Sequence, residues 1–146
     1  FVFDDDSVLH KDFEAIFAQA AQELPDDWMA FQLGTLQYNW HPPFAQDHSA
    51  HLYRTNGSAV GSHAVGLRFD AFPYLLDQVR RMAMPFDVGA LSALTRDFAD
   101  RCFVIRPNLA IQRLQDSDIN TSEFQSERSR EEVAATHRWR LADYQL

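Results

Sequence analysis

The sequence predicts an α/β domain: a mixed sheet flanked by helices. Three observations predict it. Short runs rich in β-branched and aromatic residues, at 1–3, 60–67 and 102–105, read as strands. Longer stretches between them place apolar residues at helical spacing. The two kinds of segment alternate along the chain, which is the pattern that layers helices onto a sheet. At 146 residues the chain has the length of one domain with a sizeable core, and it shows no internal repeat.

Phe1-Val2-Phe3 is uninterrupted by polar residues and reads as a buried strand. It runs directly into Asp4-Asp5-Asp6. Three like charges at a strand end repel one another, and a hard divalent cation offsets that repulsion, because Mg²⁺ and Mn²⁺ prefer oxygen ligands. Successive strand residues point to opposite faces, so Asp4 and Asp6 are expected on one side and Asp5 on the other. This is the D-x-D motif, two carboxylates able to hold a metal that in turn holds a diphosphate. The competing reading is that Asp5 and Asp6 cap the following helix or lie in solvent.

A helix is expected over 10–24, with Phe13, Ile16, Phe17, Ala20, Ala21 and Leu24 in one apolar stripe and Pro25 with Asp26-Asp27 stopping it. Residues 29–33 read as a short strand ended by Gly34. Residues 35–50 read as a loop containing Pro42-Pro43, and 51–55 as a strand closed by an Asn56-Gly57 turn. The strand at 60–67 is built of unusually small residues, and its glycines suggest close approach of a ligand or a second backbone. In the next helix Asp70 is a cap, Pro73 lies in the first turn, and Phe72, Leu75, Leu76, Val79 and Met82 face inward until Pro85 breaks it. Asp87 stands where an N-cap belongs, before a helix with Val88, Leu91, Leu94 and Phe98 inward. Cys102-Phe103-Val104-Ile105 is a strand ended near Pro107, and Leu109-Ala110-Ile111 extends the sheet. The expected domain covers 1–119. Residues 120–146 form a charged tail whose helix has a thin apolar face (Val133, Ala134, Leu141, Trp139), suited to docking on a partner chain, a missing domain or the domain itself.

The net charge of −8 is unevenly placed. Residues 1–27 carry eight acids against the single base Lys11. That balance argues against a nucleic-acid partner, which needs a basic face. The lone Cys102 excludes an internal disulfide framework and a Cys-based metal site. No run is apolar enough for a membrane span, and a cytoplasmic location is the expectation. A chain that opens in mid-strand just ahead of a carboxylate cluster is expected to be a segment of a longer polypeptide.

In order, these motifs resemble glycosyltransferase family 25, the lipopolysaccharide-type and collagen-type galactosyltransferases of GT-A fold. Asp4-Asp5-Asp6 stands where the family has a carboxylate triplet, with Asp for the common Glu. His10-Lys11-Asp12-Phe13 matches its His-x-x-Phe helix start, and Gly61-Ser62-His63-Ala64-Val65 its Gly-x-His-Ala-Tyr strand, with Val65 in place of the aromatic. Pro85-Phe86-Asp87, then Pro107, Gln112 and Ser117-Asp118-Ile119, match its later landmarks. The likeness covers about residues 1–119. It implies the C-terminal portion of a GT-A-like sheet, a nucleoside-binding half lying before the carboxylates, and transfer of a sugar from a nucleoside diphosphate, UDP above all, to a glycan or other hydroxyl acceptor.

The residues can carry that chemistry. Asp4 and Asp6 hold Mn²⁺ or Mg²⁺ against the leaving diphosphate. Asp5 reaches a ribose hydroxyl or the sugar. Asp87 serves as general base to the acceptor hydroxyl in an inverting displacement, its alternative being a plain N-cap. His63 is a donor contact or, alternatively, a hydrogen-bonded wall residue. His41, His48 and His51 lack zinc-site spacing and read as solvated loop histidines. Tyr38, Trp40 and Pro42 suggest an aromatic shelf for a sugar ring, while Trp28 plugs the core. Asp118 is a further metal or acceptor contact, or part of a polar turn. Two other classes compete: a degenerate transferase-like binding module, and a phosphohydrolase with Asp4 as nucleophile, which lacks a downstream lysine because Lys11 is the only one.

Overall fold

The computed structural model describes residues 1–81, 83–113 and 130–144. It has α/β architecture with a six-stranded mixed sheet flanked by helices. The elements run β1 (Val2–Phe3), β2 (Ser7–Leu9), α1 (Phe13–Glu23), β3 (Ala30–Gln37), β4 (Gln46–Asp47), β5 (Leu52–Arg54), β6 (Ala59–Leu67) and α2 (Phe72–Arg80). A π-helical turn (Asp87–Leu91) leads into α3 (Ser92–Asp97), followed by β7 (Cys102–Ile105), β8 (Ala110–Gln112) and α4 (Arg130–His137). The main sheet has the order β1-β6-β3-β7-β5-β4, and β2 pairs with β8 in a small second sheet. Because β1 and β3 are both antiparallel to β6, and β7 is parallel to β3, the strands β1, β3 and β7 run the same way. Their C-terminal ends share one edge.

The period-3.6 stripe of α1 packs as expected. Phe13, Ile16, Phe17, Ala20 and Leu24 cover Phe31, Leu33, Phe103 and Ile105 on one face of the sheet, with Trp28 beside them, whereas Ala21 is exposed. α2, α3 and the π-helical turn cover the other face over Ala30, Val65 and Cys102. Here the expected stripe of α2 is rotated. Ala71, Tyr74, Leu75 and Gln78 turn inward, and Phe72, Leu76 and Val79 remain exposed. That is a shift of one residue, about 100° around the helix axis. Asp70 pairs with Arg101 at 2.6 Å rather than capping the helix. Val88 is likewise exposed, while Leu91 and Leu94 are buried as expected. Met82 lies outside the described residues.

Three further expectations change. β1 is an edge strand paired only with β6, so Phe1, Val2 and Phe3 are 43–60 % exposed instead of buried. β3 does not end at Gly34 but continues to Gln37, and the expected loop after it contains β4, paired with β5. His51 is not a solvated loop residue. Its ring Nδ1 lies 2.5 Å from Glu23 Oε1, its backbone N–H donates to Glu23 Oε2 at 2.9 Å, and Ser49 Oγ donates to the same oxygen. His48 packs its ring 4.7 Å from that of Phe103.

The described part of the tail, residues 130–144, docks on the domain. α4 accepts the Trp40 indole N–H at the Thr136 carbonyl (3.1 Å), and Ala134, Trp139 and Tyr144 join Val8 and Ile111 in a small apolar cluster. Among the described residues no helix is long and apolar enough to cross a membrane.

Burial works to raise the Glu23 pKa, but hydrogen bonds from Ser49 and His51 outweigh it and lower the value from 4.5 to about 2. This carboxylate therefore stabilises the fold fully above the unfolded value near 4.5, and the contribution is lost as pH falls toward about 2. Urea unfolding of Glu23→Gln across this range should give a shallower acid-side loss of stability than the wild type. Superimposable pH profiles would rule the linkage out.

Candidate carboxylate site at the sheet edge

The site is built around an irregularity in β6. Leu36 of β3 stands opposite Val60 and Gly34 opposite Ala64, so two steps along β3 match four along β6. Gly61, Ser62 and His63 bulge outward in between. Gly61 adopts φ +92°, a conformation open to glycine and strained for any L side chain. The small residues read from the sequence as a sign of close approach serve this bulge, and Gly66 admits the ring of Phe1.

The bulge holds both carboxylate segments. The His63 carbonyl accepts the Asp4 N–H at 2.9 Å and Ser7 Oγ at 2.7 Å. Two residues earlier, the Gly61 N–H donates to Asp87 Oδ2 at 3.2 Å. Asp87 is thus half-buried against the mouth of β6 and makes no side-chain cap, contrary to the N-cap reading. Its oxygen is spent on a neighbouring strand because the chain from Asp87 is already helical and its own first-turn amides lie behind it.

Asp4, Asp5 and Asp6 do not follow strand alternation. β1 stops at Phe3, and the Ser7 N–H closes a turn onto the Asp4 carbonyl at 3.2 Å. The turn carries the chain from the main sheet into the small one. Its geometry, rather than a pleat, sets how Asp4 and Asp6 stand to each other. Asp4 and Asp5 are exposed. Asp6 is half-buried, with its carbonyl accepting the Arg113 N–H at 2.9 Å. Its Oδ1 is buried with no hydrogen-bond partner among the described residues. An orphan carboxylate oxygen inside a turn of three acids suits a hard cation. Among the described residues no group of three or more His, Cys, Asp or Glu side chains gathers to hold a metal. Mg²⁺-type sites commonly use one or two carboxylates plus water and substrate phosphates, and the residues present fit that arrangement.

His63 is 1 % exposed. Its ring faces inward, against Gly34 of β3 and the Ala110 carbonyl. Burial lowers its pKa, opposed by the Ala110 carbonyl and by Asp4 and Asp6. The neutral imidazole is a wall behind the carboxylate turn.

Other expected site residues are used elsewhere. Trp40 is no free sugar shelf, because Arg138 lies 4.4 Å over its ring and its N–H is bound by α4, while Tyr38 packs edge-on to His137. Asp118 and the Ser117-Asp118-Ile119 motif lie outside the described residues. Sequence reasoning missed Gln32, which is 0 % exposed beneath the bulge. The available signal was a polar residue at a core position of a strand.

No protein-family model, curated protein or solved structure matches the chain.

A Cβ at position 34 would overlap the Ala110 carbonyl oxygen and the His63 ring. Gly34→Ala is expected to lower the unfolding free energy by about 3 kcal/mol, the upper range for overpacking. Chemical denaturation followed by circular dichroism measures this. A loss below about 0.5 kcal/mol, typical of a neutral surface change, would mean the ring and strand separate freely.

Proposed function

We propose that this chain carries the metal-side and acceptor-side carboxylates of a nucleotide-sugar glycosyltransferase, GT-A-like and resembling family 25. The observation that carries the reading is the shared anchorage of Asp4 and Asp87 on the 61–63 bulge, at the edge where β1 and β3 end. Ligands of open α/β sheets bind outside the carboxyl ends of such strands.

In this reading Asp4 and Asp6 hold Mn²⁺ or Mg²⁺, with the orphan Asp6 Oδ1 as one donor. When bound, the ion neutralises charge developing on the diphosphate leaving group. Asp5, exposed at the tip of the turn, takes a ribose or sugar hydroxyl. Asp87 is held through Oδ2 by the Gly61 amide, and its other oxygen accepts the proton of the acceptor hydroxyl. The acceptor oxygen then bonds to the anomeric carbon as the carbon–oxygen bond to the diphosphate breaks, and the bonding pair leaves with the diphosphate. One displacement inverts the anomeric centre. His63 acts through its backbone, fixing the start of the carboxylate turn.

Calorimetric titration of UDP with and without Mn²⁺, on the wild type and Asp6→Ala, tests the metal side. Binding should need the metal and be lost in the variant. Silence in both conditions favours a degenerate module that does not turn over. Asp87→Asn should lower kcat by at least ~100-fold while donor KM changes little, the signature of a lost general base. An unchanged kcat removes Asp87 from that role.

A further inference from the structure

Gln32 is fully buried on β3, on the same face as Ala30, which packs under α2 and α3. An apolar residue would suit that face better. The Gln32 Nε2 instead reaches the Gly61 carbonyl in a long hydrogen bond of 3.5 Å, and its Oε1 is buried without a partner among the described residues. Such an orphan oxygen destabilises the fold by about 1–3 kcal/mol. Local rules are broken in this way mostly where function requires it. Gly61 is thus gripped on both sides of its Cα, its carbonyl by Gln32 and its N–H, in the preceding peptide unit, by Asp87 Oδ2. Gly61 stands at φ +92°, and as a glycine it leaves that conformation readily, so its orientation depends on what grips it.

We infer that Gln32 is a positioning residue for Asp87: its bond to the Gly61 carbonyl and the Asp87 bond to the Gly61 N–H together set the torsions of Gly61, so the glutamine amide helps keep that N–H on the carboxylate. The catalytic consequence rests on Asp87 being the base, but the mechanical linkage does not. A loosened Gly61 leaves Asp87 free to rotate away from the acceptor position, which lowers turnover without weakening the donor.

The test is amide hydrogen exchange at Gly61, followed by NMR on the full chain in the wild type, Asp87→Ala and Gln32→Met. Methionine keeps the length of glutamine without the amide. Both variants should exchange the Gly61 amide roughly tenfold faster, the scale of one lost hydrogen bond. The amides of Phe31 and Val104 should keep their wild-type rates, and the melting temperature of Gln32→Met should be unchanged or higher. In a transfer assay Gln32→Met should lower kcat with donor KM preserved. A wild-type exchange rate at Gly61 in Gln32→Met overturns the inference. So does a uniform acceleration across the sheet, or failure to fold, since either makes the amide a packing requirement. If Gly61 responds as expected and the wild type transfers no sugar, the linkage stands and the transferase reading falls.

Discussion

Everything at the candidate site depends on one misfit between two strands. Where β6 spends four residues against two of β3, its ladder to β3 is interrupted. On its other side the His63 carbonyl continues the β1 register, where Phe3 faces Ala64, and takes Asp4 and Ser7, while the Gly61 amide takes Asp87. The side chain of His63 completes the arrangement from beneath, filling the space that Gly34 leaves open. Backbone polar groups require partners, so the 61–63 stretch of β6 meets both acidic segments, Asp4 through the β1 register and Asp87 through the Gly61 amide.

The parts of this architecture legible in the sequence were those written locally. The α1 stripe and the strands at β5, β6 and β7 follow from periodicity within a few residues, and the structure has them nearly as read. The carboxylate cluster and the glycine-containing strand also announced themselves by composition. What the sequence hid was set by distant partners. Gly34 reads as a strand terminator because glycine weakens strands, yet it serves the ring of His63, and the strand runs through it. The buried face of α2 lies one position from the one its apolar residues suggest, with Phe72, Leu76 and Val79 outside and Tyr74 and Gln78 turned in. For Asp87 the sequence left a general base and a cap side by side, because an Asp before a helix commonly caps it and nothing nearby in sequence points to the amide of Gly61.

The same division explains the aromatic residues. Tyr38 and Trp40 follow the end of β3, where an exposed ring suggests a sugar platform. The return of the C-terminal segment, with Arg138 over Trp40 and His137 Nδ1 3.1 Å from the Gln37 carbonyl, turns them into a docking surface for the chain itself. Contacts of that separation carry no signature in a local window.

The small β2–β8 sheet also imposes an order of events. Among the described residues, the far side of the turn bearing Asp5 and Asp6 is held by segments from late in the sequence: Arg113 on the Asp6 carbonyl, β8 against β2, and Lys11 on Asp143 at 2.8 Å across 132 positions. Loops that long close late, because their entropy must be lost before their contacts form. The acidic turn therefore lies early in the sequence but takes its shape from contacts made across more than a hundred positions.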